Sequence, residues 1–410
     1  MSRLTAQARF LIGLAACALL LYTIYNFMYL PPRRILPDEH RFIESAVELA
    51  ETGEFRVRGK RAWEMPGMAL LSAALYKVAG SKNGLILFAR ALQSVLLIIT
   101  AVLVYRVAMY LFRDRLAATI SYGITLFYPF FVFYQGVLTS ETVFIVLLVT
   151  GMLWLYKWEH AGFRIDHNLF LAMVAFALAV YIKATLSILP PLLAGAFALL
   201  AGRSPGRAGR ALVFSSLVYG LCLSPWWFRN YRVLDDFVPF TTSSARVLYS
   251  GNNPMNRSGG GLRGRDWVPI EAYDTLPELE WAKAYQREAV AYIKEKPGVF
   301  LALAVTRFGR FWRLYAYAEE WRRPIYIVVS VLSFGTILLF ALVGSIRTRK
   351  MWRRIVPIYL LIGFFTLVHV VSISSIRYRL PLEPFLIALA ALPMAPAWRL
   401  RAQKYKRVGD

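Results

Sequence analysis

Cysteine is nearly absent from this chain of 410 residues, with only Cys17 and Cys222, and both fall inside apolar runs. A thiol there is a small hydrophobe, so no disulfide framework is implied. Leu14-Ala15-Ala16-Cys17 looks like a lipoprotein processing box, but the apolar run continues for about a dozen residues past it, which favours a retained signal anchor. Histidine is as scarce. His40, His160, His167 and His369 are scattered without metal-ligand spacing, which leaves only a chance divalent site at His40 beside the acidic pair that precedes it. A glycine-rich phosphate loop and a paired-aspartate nucleotide-sugar motif are both missing, so nothing points to a nucleotide or to any other cofactor. Internal repeats, low-complexity tracts and flexible linkers are absent too, and residues 1–410 are expected to form one membrane domain. Acidic residues are few, 24 against 48 basic, for a net charge of +24. In a soluble protein that excess would suggest nucleic acid; here most of it lies in short stretches between apolar runs, and no nucleic-acid partner is expected.

What the chain has in abundance is hydrophobic sequence. It is 58% hydrophobic with a mean hydropathy of +0.49, and several runs approach the twenty residues that cross ~30 Å of hydrocarbon at ~1.5 Å per residue. An all-α polytopic membrane protein follows. The first span runs from about Phe10 to Leu30, and others are expected at about 85–105, 116–134, 137–156, 168–183, 185–201, 211–228, 325–346, 354–373 and 380–397, about ten in all. With the N-terminus inside, Arg3 and Arg9, Arg106, Arg113 and Arg115, Lys157 and Arg164, Arg203, Arg207 and Arg210, the Arg347–Arg354 cluster and the Arg399–Arg407 tail share one face. Both termini are therefore expected in the cytoplasm of a cell whose plasma (inner) membrane holds the chain.

Two long connections, about 31–84 and 229–324, fall on the opposite, extracytoplasmic face. In the first, Phe42, Ile43, Ala46, Val47 and Ala50 recur at helical spacing opposite Glu44, Glu48 and Glu51, which predicts a surface-lying amphipathic helix, with a short second helix after Pro66. In the second, 278–295 reads as a soluble helix and about 299–316 as another. Arg307, Arg310 and Arg313 interrupt that last stretch, and each costs at least ~2.5–3.5 kcal/mol at bilayer depth. It is therefore laid on the membrane surface, arginines toward headgroups or substrate and aromatics in the acyl boundary.

Several ionisable groups stand at the outer ends of these spans. Asp38 and Glu39 follow the first, Arg90 opens the second, and Ser140-Glu141 starts another. Lys183 lies in a tight turn, Arg229 near the end of the 211–228 stretch, and Arg377-Tyr378-Arg379 ahead of the last helix. Each has a plainer alternative: Asp38 as an N-cap, Glu39 in an ion pair, Glu141 in a structural ion pair, Arg90 and Lys183 snorkelling to headgroups, Tyr378 in the interfacial aromatic belt. Gly251-Asn252-Asn253-Pro254 has turn chemistry first, with Asn252 open to binding a sugar hydroxyl.

Taken in order, Asp38-Glu39 with its amphipathic helix and Gly53, Pro66-Gly67, Ala89-Arg90, Ser140-Glu141, Pro225-Trp226 with Arg229-Asn230-Tyr231, Gly251-Asn252-Asn253-Pro254 and Arg377-Tyr378-Arg379-Leu380-Pro381 resemble bacterial GT-C glycosyltransferases of the ArnT-like and protein O-mannosyltransferase-like branch. The resemblance spans nearly the whole chain and implies a GT-C fold with extracytoplasmic juxtamembrane helices. It also implies transfer of a sugar from a polyprenyl-phosphate carrier to a lipid, glycan or protein acceptor outside the cell membrane. In its terms Asp38 is the catalytic base. Glu39, Arg90, Glu141, Lys183, Arg229, Asn252, Arg377, Tyr378 and Arg379 are the substrate-binding candidates, with Arg377 or Arg379 on the donor phosphate and the other anchoring the loop. No metal is required if cationic side chains neutralise a single phosphodiester, and one base serving one displacement implies inversion. The competing expectations are a flippase or transporter of a lipid-linked sugar, disfavoured by the lack of repeats and of midplane charges, and an O-antigen ligase or polymerase.

Overall fold

A computed structural model describes residues 5–261, 266, 269–317 and 321–395. Arg3 and the Arg399–Arg407 tail, used above for orientation, lie outside the described residues. All ten expected apolar stretches are helical, and among the described residues the only β pairing is an isolated bridge between Val57 and Lys60. Among the described residues six helices are long and apolar enough to cross a membrane: Ala6–Tyr29, Lys82–Phe112, Glu141–His160, Pro205–Leu234, Pro324–Arg347 and Arg349–Val371. A seventh is the pair Arg115–Phe127 and Pro129–Gln135, bent by 49°. Proline causes the bend, since Pro129 has no N–H for the ladder and pushes Tyr128 out of the helical region to ψ 118°.

The other three expected spans are shorter than the hydrophobic pattern suggests: His167–Ile182, Leu189–Leu200 and Glu383–Met394. The first stops where Lys183 turns extended, and the second begins on Pro190-Pro191. In the third, every residue from Glu383 to Leu392 is buried, so its apolar surface meets protein all round. It packs against Thr336–Arg347 and Arg115–Phe127, and Gly344 lets the Leu389 carbonyl come against the neighbouring backbone.

The connections fold as the sequence predicts in outline. Glu39–Thr52 buries Phe42, Ile43 and Ala46 and ends on Gly53 in the left-handed region at φ 76°; Gly67–Ala79 packs against it. Gly67 also lies on the Tyr181 carbonyl, where a Cβ would come to 2.5 Å. The two long connections are bonded together, because Glu278 accepts from the Ala62 amide at 2.9 Å and from the Thr242 hydroxyl at 2.7 Å.

The helix expected at about 299–316 runs Pro297–Phe311 and exposes Leu301, Val305 and Phe308. Its arginines differ from expectation. Arg307 is fully buried and donates to the Gly251, Val370 and Val371 carbonyls and to Asn252 Oδ1, while Arg310 donates to the carbonyls of Ser374 and Ser258. Both tie backbone together, because the carbonyls left over at helix ends and turns need donors.

Gly251 sits at the centre of this knot, where a Cβ would overlap the Ser372 carbonyl oxygen. Gly251→Ala is expected to destabilise the protein by about 1–3 kcal/mol or more, since the obstacle is backbone and cannot swing aside. Thermal unfolding in detergent reads this as a lowered midpoint; an unchanged midpoint would mean that the two segments sit further apart.

Candidate functional site

Asp38 occupies the position before the Glu39–Thr52 helix, but its backbone is already helical and its side chain makes no capping bond. The carboxylate turns instead to Nη1 of Arg377, 339 residues away. Arg377 sits in the 3₁₀ segment Ile376–Leu382, with its backbone N–H held by Ser375 Oγ. Its other two branches grip Glu141, Nε to Oε1 at 2.6 Å and Nη2 to Oε2 at 2.9 Å. Lys183 Nζ completes the group at 3.0 Å from Glu141 Oε1.

Glu141 is fully buried at the first turn of its span, where an unpaired carboxylate would be too costly to keep, and the Arg377–Lys183 pair is what stabilises it. Burial alone would raise the Asp38 carboxyl. The Arg377 and Arg41 guanidiniums outweigh it and hold Asp38 below the ordinary value of 3.8.

An aromatic column backs the cations. Tyr378 stacks on His369 with ring centroids 4.4 Å apart and planes 4° off parallel, and His369 stacks in turn on Phe311. The Lys183 ammonium lies 5.6 Å over the Tyr378 ring. Two participants escaped the sequence analysis. His369 looked like one of four scattered histidines. Arg41, electrostatically coupled to Asp38, Lys183 and Tyr378 and paired with Glu64 at 2.5 Å, is three residues beyond Asp38; that i,i+3 spacing puts the two on one helix face and was the available signal.

The other five expected ligands bond to protein groups, and among the described residues none of them hydrogen-bonds to Asp38, Arg377, Glu141 or Lys183. Glu39 is fully buried, its oxygens taken by the amides of Ile35, Leu36 and Leu138, the last at 2.7 Å, so it pins the first connection to the 137–140 turn. Arg90 is fully buried too and donates to the carbonyls of Gly136, Asn26, Pro31 and Arg33. Arg229 donates to the Arg61 and Phe55 carbonyls, its guanidinium 5.1 Å over Trp226. Asn252 spends its amide on the Leu248 and Val371 carbonyls and its oxygen on Arg307. Arg379 is fully buried, bonded to Glu383 at 2.8 Å and to the carbonyls of Phe311 and Arg313, and stacked on Phe334. For the three arginines the common reason is that carbonyls left over at helix ends and turns need donors. His40 pairs with Glu44 at 2.9 Å, and no three His, Cys, Asp or Glu residues gather as a metal site among the described residues.

Asp38, Arg377, Glu141, Lys183, Tyr378 and Arg41 thus bring a half-exposed carboxylate, an Arg–Lys pair on a buried counterion and an aromatic wall to one place. Such a constellation can bind a phosphate and accept a proton beside it.

No protein-family model matches the chain, and no curated protein sequence does either. Solved structures do. The oligosaccharyltransferase of Archaeoglobus fulgidus in its apo form superposes with a TM-score of 0.57 at 12% identity, covering 94% of this chain and 50% of that one. The same enzyme, AglB, in complex with an inhibitory peptide and a dolichol-phosphate gives 0.55 at 12% identity, covering 98% of this chain and 52% of the other. ArnT from Cupriavidus metallidurans bound to undecaprenyl phosphate is a weaker likeness, TM-score 0.47 at 14% identity over 94% and 77%. The chain spans about half the length of the archaeal enzyme, and with it shares the GT-C fold of a multi-pass membrane protein.

Proposed function

From a chain of GT-C fold, we propose a glycosyltransferase that moves a monosaccharide from a polyprenyl-phosphate carrier to a lipid, glycan or protein acceptor on the extracytoplasmic side of the inner membrane. The observation that carries this reading is the convergence of Asp38, Arg377, Glu141 and Lys183 from four distant segments. Support also comes from the archaeal enzyme of the same fold, solved with a dolichol-phosphate.

Arg377 and Lys183 hold the donor phosphate, and buried Glu141 fixes both cations in place. The polyprenyl tail lies in a lateral groove between helices. The acceptor hydroxyl oxygen attacks the anomeric carbon as the bond from that carbon to the phosphate oxygen breaks. The bonding pair leaves with the phosphate, and the hydroxyl proton passes to Asp38. Cationic side chains against the leaving phosphate and a base on the nucleophile lower the barrier at both ends. Glu141 is saturated by two cations and is no nucleophile, so a single displacement inverts the anomeric centre. The basic short loops support a reading in which both termini are cytoplasmic and this site faces the other side.

Because the two guanidiniums depress Asp38, the carboxylate persists from neutral pH down past the ordinary aspartate range. The acid limb of kcat/KM for the donor, which meets the free protein, is accordingly expected below pH 3.8, with no loss from Asp38 at pH 5. An acid limb near pH 6 would point to a different base.

The test of the function is a panel of radiolabelled polyprenyl-phosphate monosaccharides offered to purified protein in nanodiscs, with membrane extract as acceptor and EDTA present. Transfer that persists in EDTA, with free polyprenyl phosphate as co-product, supports the reading. Movement of the intact lipid-linked sugar across proteoliposomes, without cleavage, refutes it in favour of a flippase.

A further inference from the structure

Asp38 and Arg377 occupy each other in the free protein. Glu141 takes Nε and Nη2 of Arg377, so a fully buried partner fixes the guanidinium, and Nη1 is the branch left for Asp38. Side-chain exposure rises outward along the chain of contacts, from 0% for Glu141 to 17% for Arg377 and 40% for Asp38. Asp38 makes no capping bond, and Arg377 is its one hydrogen-bond partner among the described residues. An anion arriving from the open side therefore meets Nη1 already covered by a carboxylate that only this contact holds.

Resting on the donor assignment above, we propose that Asp38 is an internal stand-in for the donor phosphate, which displaces it from Nη1 of Arg377 and so binds before the acceptor can be activated. A phosphate oxygen arriving at the same nitrogen would bring a second negative charge into contact with the Asp38 carboxylate, and the two repel at that distance. The displaced carboxylate is freed toward the acceptor side and has lost its strongest cationic partner, so its proton affinity rises once the sugar is in place. Before the donor arrives, an acceptor hydroxyl meets a base still occupied by Arg377. The pair thus orders the substrates with no moving lid. Arg41 stays beside Asp38 through its own bond to Glu64 and limits how far the carboxylate departs.

Binding of undecaprenyl phosphate to purified protein in detergent tests this. The comparison is between wild type, Asp38→Asn, Arg377→Gln and the double variant, each checked for monodisperse elution and wild-type-like unfolding. Arg377→Met replaces Arg377→Gln if the latter does not fold, since it too removes the cation that Asp38 covers. Asp38→Asn is expected to bind about three- to tenfold more tightly than wild type, because the competing anion is gone. The Arg377 variant binds more weakly, and in its background Asp38→Asn brings no gain. An equal gain in both backgrounds would mean simple charge repulsion and overturn displacement. No gain from Asp38→Asn in the wild-type background overturns it too, while weakening by the Arg377 variant would leave the donor assignment standing. Absence of saturable binding by wild type sinks the donor assignment and displacement together.

Discussion

Asp38→Asn is expected to lower sugar transfer by about 10²–10⁴-fold, the range that a positioned general base supplies. The substitution is nearly isosteric, and the side chain it alters is partly exposed and caps nothing, so the fold has little reason to respond. The asparagine amide has no lone pair basic enough to take the acceptor proton. Donor binding should survive, which separates this variant from those at Arg377. Single-turnover transfer in nanodiscs, alongside thermal unfolding, is the check. Activity within a few-fold of wild type in a folded variant would remove Asp38 from the chemistry.

Glu141→Ala is the second large effect. Glu141 is the counterion for Arg377 and Lys183 together, and its loss leaves two cations crowded with only the more exposed Asp38 nearby. Removing one partner of a buried ion pair is destabilising by about 3–5 kcal/mol, mostly because the other charge stays behind. A clearly lower unfolding midpoint in detergent is expected, together with a raised KM for the donor as Arg377 loses the partner that fixes two of its three nitrogens. Glu141→Gln, which keeps the shape, should recover part of the stability and less of the KM. If Glu141→Ala unfolds like wild type, Arg377 and Lys183 must find other partners and the buried pair is not what holds the site.

Much of this architecture is legible in the sequence because lipid imposes a simple pattern. Apolar runs mark the helices, although the single helix expected over 116–134 is broken at Pro129. What hydropathy does not carry is helix length: Glu383–Met394 is as apolar as a span yet is enclosed by neighbours. Asp38, Glu141, Lys183 and Arg377 stand out since ionisable residues at the ends of apolar runs need a reason to be there. The same rule also picked Glu39, Arg90, Arg229 and Arg379, and gave no way to set them apart. Their partners are mostly backbone amides and carbonyls, which no residue letter records. Arg41 was hidden for the opposite reason, lying on a helix face that a solvent-exposed charge explains equally well.

A structure of the protein with undecaprenyl phosphate, determined by electron microscopy in nanodiscs, examines the site most directly. The expected density places the phosphate within hydrogen-bonding distance of Arg377 and Lys183, with Glu141 still beneath them and Asp38 released. A phosphate held elsewhere, with the Asp38–Arg377 pair intact, would contradict both the donor site and the chemistry assigned to it.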